Sequence, residues 1–421
     1  MSVEQLLEGV PIPDVVRVEQ LLPRPRVEDA SAELRARLRA ARVMSTLKPG
    51  QTVAIGVGSR GIKGLPLLVR TLVEEVQRVG GEPFIVPSMG SHGGATAAGQ
   101  LRILAHLGVT ETSVNAPFRA SMDTIEIGRT SADLPVWVDS HVLAADAVVV
   151  LNSVKPHVAF RGRYESGLIK MVAIGLGKQK GAETCHELGP GLMAETILAI
   201  ARVALAKLNL ICAVGVVESA YGDVAQLAVL RKDEIEAEEP ALLERARYLA
   251  PRIPFDQLDV LIIDEIGKDI AGTGLDTNVI GRYHTPFASG GPRISRIVVL
   301  DVTDRSGGNA NGIGLADFTT QRVFGKILFD QTYPNALTST VPTTVKIPMV
   351  LRSDELAIRA AIKTCNLREK RDVRLVRIKN TKSLDYLDAS TSLLDDIKSH
   401  DSLLQIGDIA PLPFDDDGNL L

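Results

Sequence analysis

Residues 52–94 read TVAIGVGSRGIKGLPLLVRTLVEEVQRVGGEPFIVPSMGSHGG, and their alternation of patterns announces an α/β chain. Thr52–Val57 is a short apolar run closed by glycine, the signature of a buried strand. Leu65, Leu68, Val69, Leu72, Val73 and Val76 then recur at helical spacing, so Leu65–Val79 reads as an amphipathic helix. Glu82–Pro87 is a second apolar run. A strand, a crossover helix and a strand of this kind form a right-handed unit with parallel pairing. Ligands of such sheets bind beyond the carboxyl ends of the strands. The segments that matter most are therefore GSRG (58–61) and SMGSHGG (88–94).

Working outward, the pattern repeats. Ala97–Leu107 reads as a helix and Ala147–Leu151 as a parallel-type strand followed by NSVKPH (152–157). A helix over Gly191–Lys207 and a strand over Leu210–Val217 complete the set. Upstream, residues 1–30 are punctuated by proline and read as an arm, and Ala30–Arg42 as a charged helix. Downstream, an acidic, Pro-bounded stretch around Asp233–Pro254 marks a boundary. A second α/β set follows, with strands at Asp259–Ile263, Ile297–Val302 and Val373–Ile378, helices near Gly314–Ile327 and Asp354–Cys365, and the loop KDIAGTGLDTNVIGR (268–282). The expected architecture is α/β, with two Rossmann-like parallel-sheet domains: residues 1–253 binding a cofactor and carrying catalysis, residues 254–421 closing over the substrate, and the active site in the cleft between them.

Bulk properties remove several function classes. A formal charge of −4 and 4% aromatic residues argue against nucleic acid or a membrane surface as partner. The N-terminus lacks the basic start and apolar core of a signal peptide, and no run reaches membrane-span length. Three scattered cysteines, Cys185, Cys212 and Cys365, form neither a disulfide framework nor a metal knuckle and fit a reducing, cytoplasmic setting. An oligomer stays open.

Among seven histidines, two stand directly after strands: His92 in Ser-His-Gly-Gly and His157 in Lys-Pro-His. Imidazoles exchange protons near neutrality, so such a pair suits acid/base work on opposite faces of one carbon. Lys170 sits in the apolar run ESGLIKMVAIGLG, where a lysine either snorkels or serves as nucleophile or cofactor anchor. His186, in GAETCHELGPG, is a metal-ligand candidate without local companions, so a metal there would arrive already chelated. Arg60 is placed to hold a carboxylate or phosphate. Lys268, Asn278 and Arg282 lie in the second glycine-rich loop and are substrate candidates. The residues alone leave three readings: a racemase or epimerase, a metal-dependent hydrolase or lyase using His92 and His157, and a non-catalytic nucleotide-binding protein.

Taken as a set, the SRG loop with Arg60, the SHGG loop with His92, the KPH turn with His157, the run ending at Lys170 and GKQKGAETCH ending at His186 resemble the lactate racemase family. The resemblance covers roughly residues 45–285. It implies an isomerase acting on a small 2-hydroxy acid, with a nickel-pincer nucleotide as cofactor. It also implies Lys170 joined covalently to that cofactor, His186 as a nickel ligand, His92 and His157 as proton acceptor and donor, and residues Val57, Gly58, Ser59 and Arg60 in contact with the cofactor, Arg60 also near substrate. The reaction implied is a reversible hydride shift through a 2-keto acid. This chain departs from the family where an acid opens the first loop, having Val57 instead, and where a longer segment around Arg161–Tyr164 precedes Lys170. Arg161, Arg163 and Arg282 are the cations expected to select a second carboxylate on the substrate.

Overall fold

The computed structural model describes residues 2–421. Two compact units emerge: Arg24–Ala250, and the residues up to Pro23 together with Pro251–Leu421. Strands run in chain order β1 (Val15–Gln20), β2 (Thr52–Val57), β3 (Glu82–Pro87), β4 (Thr124–Arg129), β5 (Pro135–Asp139), β6 (Ala147–Ser153), β7 (Leu210–Glu218), β8 (Val224–Leu230), β9 (Gln257–Ile263), β10 (Arg293–Val299), β11 (Phe318–Thr320), β12 (Met349–Leu351), β13 (Leu375–Asn380), β14 (Ser383–Ser390) and β15 (Leu403–Gln405).

In the unit 24–250 a five-stranded sheet has the order β3-β2-β6-β7-β8. β2 pairs in parallel with β3 and with β6, and β6 with β7; β8 adds an antiparallel edge. The central position of β2 explains its unbroken apolar sequence. Val53, Ala54, Ile55 and Val57 are all fully buried, because helices cover both faces. The helix Leu65–Arg78 buries the six apolar residues predicted for its inner face. Each such side chain is worth about 1.5–3 kcal/mol when fully buried. β4 and β5 form a separate hairpin. Parallel pairing brings the carboxyl ends of β2, β3 and β6 side by side, and with them the loops 58–61, 88–94 and 152–157.

The other unit differs from expectation. Its eight-stranded sheet, β12-β11-β10-β9-β13-β14-β1-β15, is mixed and not parallel. β12 through β13 are parallel, while β14, β1 and β15 join antiparallel. β1 comes from the proline-rich arm, so residues up to Pro23 group with this unit and not with residues 24–250, and the break falls at 250/251. The arm's alternating burial, Val16 and Val18 in and Arg17 out, is ordinary half-buried strand chemistry. The helix expected near Gly314–Ile327 is broken into a short turn at Ile313–Leu315, strand β11 and a helix at Gln321–Lys326. The β-branched pair Thr319–Thr320 is fully buried and favours the strand. Among the described residues no helix is long and apolar enough to cross a membrane.

Candidate active site

The three loops after β2, β3 and β6 line a cavity of about 100 Å³ that opens to solvent. Its walls include Gly58, Ser59, Arg60, Ser88, His92, Asn152, Ser153, Lys155, Ser166 and Lys170. The floor is Met171, Ile174 and Gly175, from the π-helical turn Met171–Gly175 that continues the short helix Leu168–Lys170. Among the described residues lining it there is no Asp or Glu, and its basic side chains are Arg60, Lys155 and Lys170.

His92 stands exposed at the rim. Its turn is pressed onto the helix Ala97–His106, and the contact demands glycine: at Gly93, with φ +70°, a Cβ would lie 2.5 Å from the Gly99 carbonyl carbon. Gln100, fully buried, donates through Nε2 to the carbonyl oxygens of Gly90 (2.8 Å) and His92 (3.4 Å). Behind Gln100 lies Lys178, also fully buried. Its ammonium donates to Gln100 Oε1 (3.2 Å) and to the Pro87 carbonyl, and pairs with the buried Asp139 at 3.1 Å. Asp139 in turn accepts from the amides of His141 and Val142. Lys178 holds φ +52°, an unfavourable backbone for a residue with a side chain. One buried cation thus ties the end of β3, the His92 turn and the end of β5 together.

His157 sits in a loop closed at its base by paired backbone hydrogen bonds between Lys155 and Ser166 (2.8 and 3.2 Å). The buried carboxylate of Glu165 staples the loop from within. It accepts from the His157 amide (2.6 Å) and the Gly162 amide (3.3 Å), and meets Arg161 and Arg247. The imidazole packs on Phe160, with ring centroids 4.2 Å apart. The Ala159 amide donates to its Nδ1 at 3.1 Å. Nδ1 therefore carries a lone pair, and in the neutral ring the proton resides on Nε2. Nε2 lies 2.7 Å from Lys170 Nζ, so Lys170 accepts that bond as a neutral amine. The electrostatics agree. Burial, and then the nearby positive charge of Arg60, push the Lys170 pKa down to about 7. The short helix carrying Lys170 is capped by Glu239, whose carboxylate accepts from the amides of Leu168 (3.1 Å) and Ile169 (2.8 Å). Burial raises the Glu239 pKa to about 7.

His186 ends the helix Lys178–Glu187. Burial and the field of Lys170 depress its pKa to about 4, so its ring is neutral and able to donate a lone pair at neutral pH. Burial pushes the neighbouring Cys185 thiol up to about 12, which keeps it from acting as a thiolate ligand. Among the described residues no three His, Cys, Asp or Glu side chains form a group able to hold a metal ion.

The structure thus gathers His92, His157, Lys170, His186, Gly58, Ser59 and Arg60 in one neighbourhood. Val57 does not line the cavity, because its side chain is packed in the core beneath the sheet. Three further candidates lie in the other unit. Lys268 Nζ donates to the Gly272 carbonyl within its own loop, and Asn278 bonds Asp276 and Tyr283. Arg282 is spent on Asp317 (2.7 Å) and the carbonyls of Leu315, Ile294 and Ser295. The arginines near His157 are likewise structural. Arg161 donates to the His157 carbonyl at 2.6 Å, and Arg163, exposed, reaches the Glu236 carbonyl and lies over the Tyr164 ring. Sequence reasoning passed over Lys155, Glu165, Lys178 and Glu239. Lys155 was signalled only by its place beside Pro156 after a strand.

Comparison with known proteins bears on the family and the fold. No curated protein matches the chain in sequence. Among solved structures it is similar to the lactate racemase apoprotein from Thermoanaerobacterium thermosaccharolyticum, with a TM-score of 0.51 and 15% sequence identity over 88% of this chain and 99% of that one. The two share a fold. Residues 8–193 match the family described as the lactate racemase N-terminal domain, and the lactate racemase family is the one that this chain resembles.

Proposed function

We propose that this protein is a cytoplasmic racemase or epimerase of a small 2-hydroxy acid, working with a nickel-pincer nucleotide. The observation that carries the reading is the contact between His157 and Lys170 beside a cavity that His92 also lines, with His186 in electrostatic reach of the same lysine. The residues fit such a cofactor. Lys170 offers a neutral amine for covalent attachment, and His186 a neutral imidazole as metal ligand. Side chains alone supply too few donors, which suits a metal that brings its own chelator. Gly58 leaves room for close approach, since a Cβ there would lie 3.0 Å from Asn152 Oδ1.

When bound, the cofactor supplies a reversible hydride acceptor, and the chain supplies the rest. Arg60 holds the substrate carboxylate. One histidine takes the hydroxyl proton while the other stands on the opposite side of the reacting carbon, and the roles exchange in the reverse direction. The Nε2 proton of His157, fixed by the Ala159 amide, makes His157 the acid in the arrangement seen, and His92 at the open rim the base. The loops exclude water and orient the substrate.

The test is intact-mass and peptide mass spectrometry on protein produced together with the cofactor's biosynthetic enzymes, paired with chiral analysis of 2-hydroxy acids. A mononucleotide adduct on Lys170 and interconversion of enantiomers are expected. An unmodified Lys170 in protein that nevertheless racemises would sink the reading.

A further inference from the structure

The 2.7 Å contact between His157 Nε2 and Lys170 Nζ joins two separate pieces of backbone, an irregular loop and a short helix. Neither is stiff by itself, since one turn of helix holds too few internal bonds to fix its own direction. Both are fastened to one element, the helix Ile235–Leu249. Three attachments run along it. Near its start, Pro240 lacks the amide that would have bonded the Glu236 carbonyl one turn back. That carbonyl is left to accept from the hydroxyl of the buried Tyr164, at 2.6 Å. One residue before the proline, Glu239 accepts from the amides of Leu168 and Ile169, at the start of the Lys170 helix. Roughly two turns further on, ~12 Å along the axis, Arg247 donates to Glu165 at 2.5 Å. Glu165 in turn accepts from the His157 amide at 2.6 Å.

We infer that Glu165 and Arg247 are positioning residues for the acid/base step, because they let the helix that fixes Lys170 also fix His157. The Glu165 side chain is fully buried, and Arg247 reaches it from a rigid element. A helix rises by a constant step per residue and does not stretch, so Glu239 and Arg247 keep a set spacing. The Lys170 helix and the His157 loop inherit that spacing. The Tyr164 hydroxyl on Glu236 straps the longer segment around Arg161–Tyr164 to the same helix. Without Arg247 the loop still has its base at Lys155 and Ser166 and the longer bond from Arg161 to Glu165 (3.5 Å), so it stays folded. What it loses is a frame shared with Lys170. The roles of His157 and Lys170 in the reaction rest on the racemase reading above. The shared frame does not, so its test reads the His157 ring directly.

The experiment is NMR of the histidine ring nitrogens in the full chain made without cofactor, with the His157 signal assigned by its loss in His157→Gln, beside racemisation kinetics on cofactor-loaded protein. The variants are Arg247→Met, Arg247→Lys, Tyr164→Phe and, as a control, Arg202→Met. Arg202 also bonds this helix, but its hydrogen bonds go to the Glu236 carboxylate. In the natural chain His157 should show one tautomer, protonated at Nε2, as the Ala159 amide on Nδ1 requires. Arg247→Met should move the signal toward the average of a ring exchanging between tautomers. It should also lower kcat by about 10–100-fold with KM within about 2-fold, the scale of a displacement near 1 Å. Arg247→Lys keeps one bond to the carboxylate and should recover part of both effects. Tyr164→Phe should shift the signal the same way by less, and Arg202→Met should leave signal and kinetics as in the natural chain. A His157 signal unchanged in Arg247→Met and Tyr164→Phe overturns the inference. So does an equal shift in Arg202→Met, which would be a general response to a loosened helix. Where Arg247→Met fails to fold, Arg247→Lys and Tyr164→Phe decide by the same signal. A chain that does not racemise while its His157 signal follows Arg247 sinks the racemase reading and keeps the shared frame; a racemising chain whose signal ignores Arg247 does the reverse.

Discussion

Two crevices lie at the carboxyl ends of parallel strands in this molecule, one in each unit, and they are built on opposite principles. The one at β9, β10 and β13 is the larger by far, about 780 Å³. Most of its charged residues are engaged in ion pairs, among them Arg17 with Asp388 at 2.5 Å, Arg377 with Asp264 at 2.8 Å and Arg322 with Asp354 at 2.8 Å. The one at β2, β3 and β6 is small, about 100 Å³, and is lined by Arg60, Lys155 and Lys170. Lys170 and the nearby His186 are pulled far from their ordinary pKa values, to about 7 and about 4. Volume is a poor guide here. Titratable groups shifted this far in a confined space mark a site more surely than size.

The largest effects should follow from removing the acid/base pair of the small crevice. His92→Ala and His157→Ala should each lower kcat by about 10²–10⁴-fold, the usual contribution of a positioned proton donor or acceptor. Chiral assays on cofactor-loaded protein measure this, and mass spectrometry should show the Lys170 adduct retained in His92→Ala. Equal activity in both variants would remove the distinction drawn between the crevices.

Lys178→Met tests whether the small crevice depends on the buried pair behind it. Leaving the buried Asp139 charge without its cation should cost roughly 3–5 kcal/mol of unfolding free energy. Denaturant unfolding reads the stability. Hydrogen exchange should locate the loosening at residues 88–93, where Gln100 and Lys178 hold the His92 turn. Uniform loosening across the unit would reduce Lys178 to ordinary core packing.

Glu239 gives the small crevice a pH dependence. Its folded pKa, about 7, lies above the ordinary 4.5. The folded protein therefore binds more protons than the unfolded chain between those values, and its stability falls as pH rises through that window. The expected loss is on the order of 3 kcal/mol. Glu239→Gln keeps an acceptor oxygen for one of the two amides, Leu168 or Ile169, and should flatten the slope between pH 5 and pH 8. Unfolding midpoints across that range check it.

What the sequence made legible follows the same division. β2, β3 and β6 were readable because strands buried on both faces are written as continuous apolar runs, and the loops after them located His92, His157 and Arg60. β1 was not readable, since its sequence VVRVEQ is short and its partner β14 lies some 370 residues away, as the Arg17–Asp388 bond shows with a separation of 371. Lys178 was hidden for a related reason. In KQKGAETCHE it looks like one more charge on a polar helix, and only Asp139 and Pro87, remote in the chain, turn it inward. Lys155 and Glu165 serve a loop whose closure by Ser166 has no periodicity to reveal it.

The smallest predicted effect belongs to the large crevice. Arg17 is 53% exposed and its partner Asp388 10%. Removing the arginine leaves Asp388 still within 3.8 Å of Arg377, so the carboxylate is not stranded. Exposure screens the lost pair, and Arg17→Ala should cost only about 1 kcal/mol. Because Arg17 is already engaged by Asp388, far from the small crevice's lining residues in sequence and in a different unit, racemisation should be unchanged. If Arg17→Ala instead lowered racemisation as strongly as His92→Ala, the large crevice would be serving the ligand after all, and shifted titration would lose its value as the mark of the site.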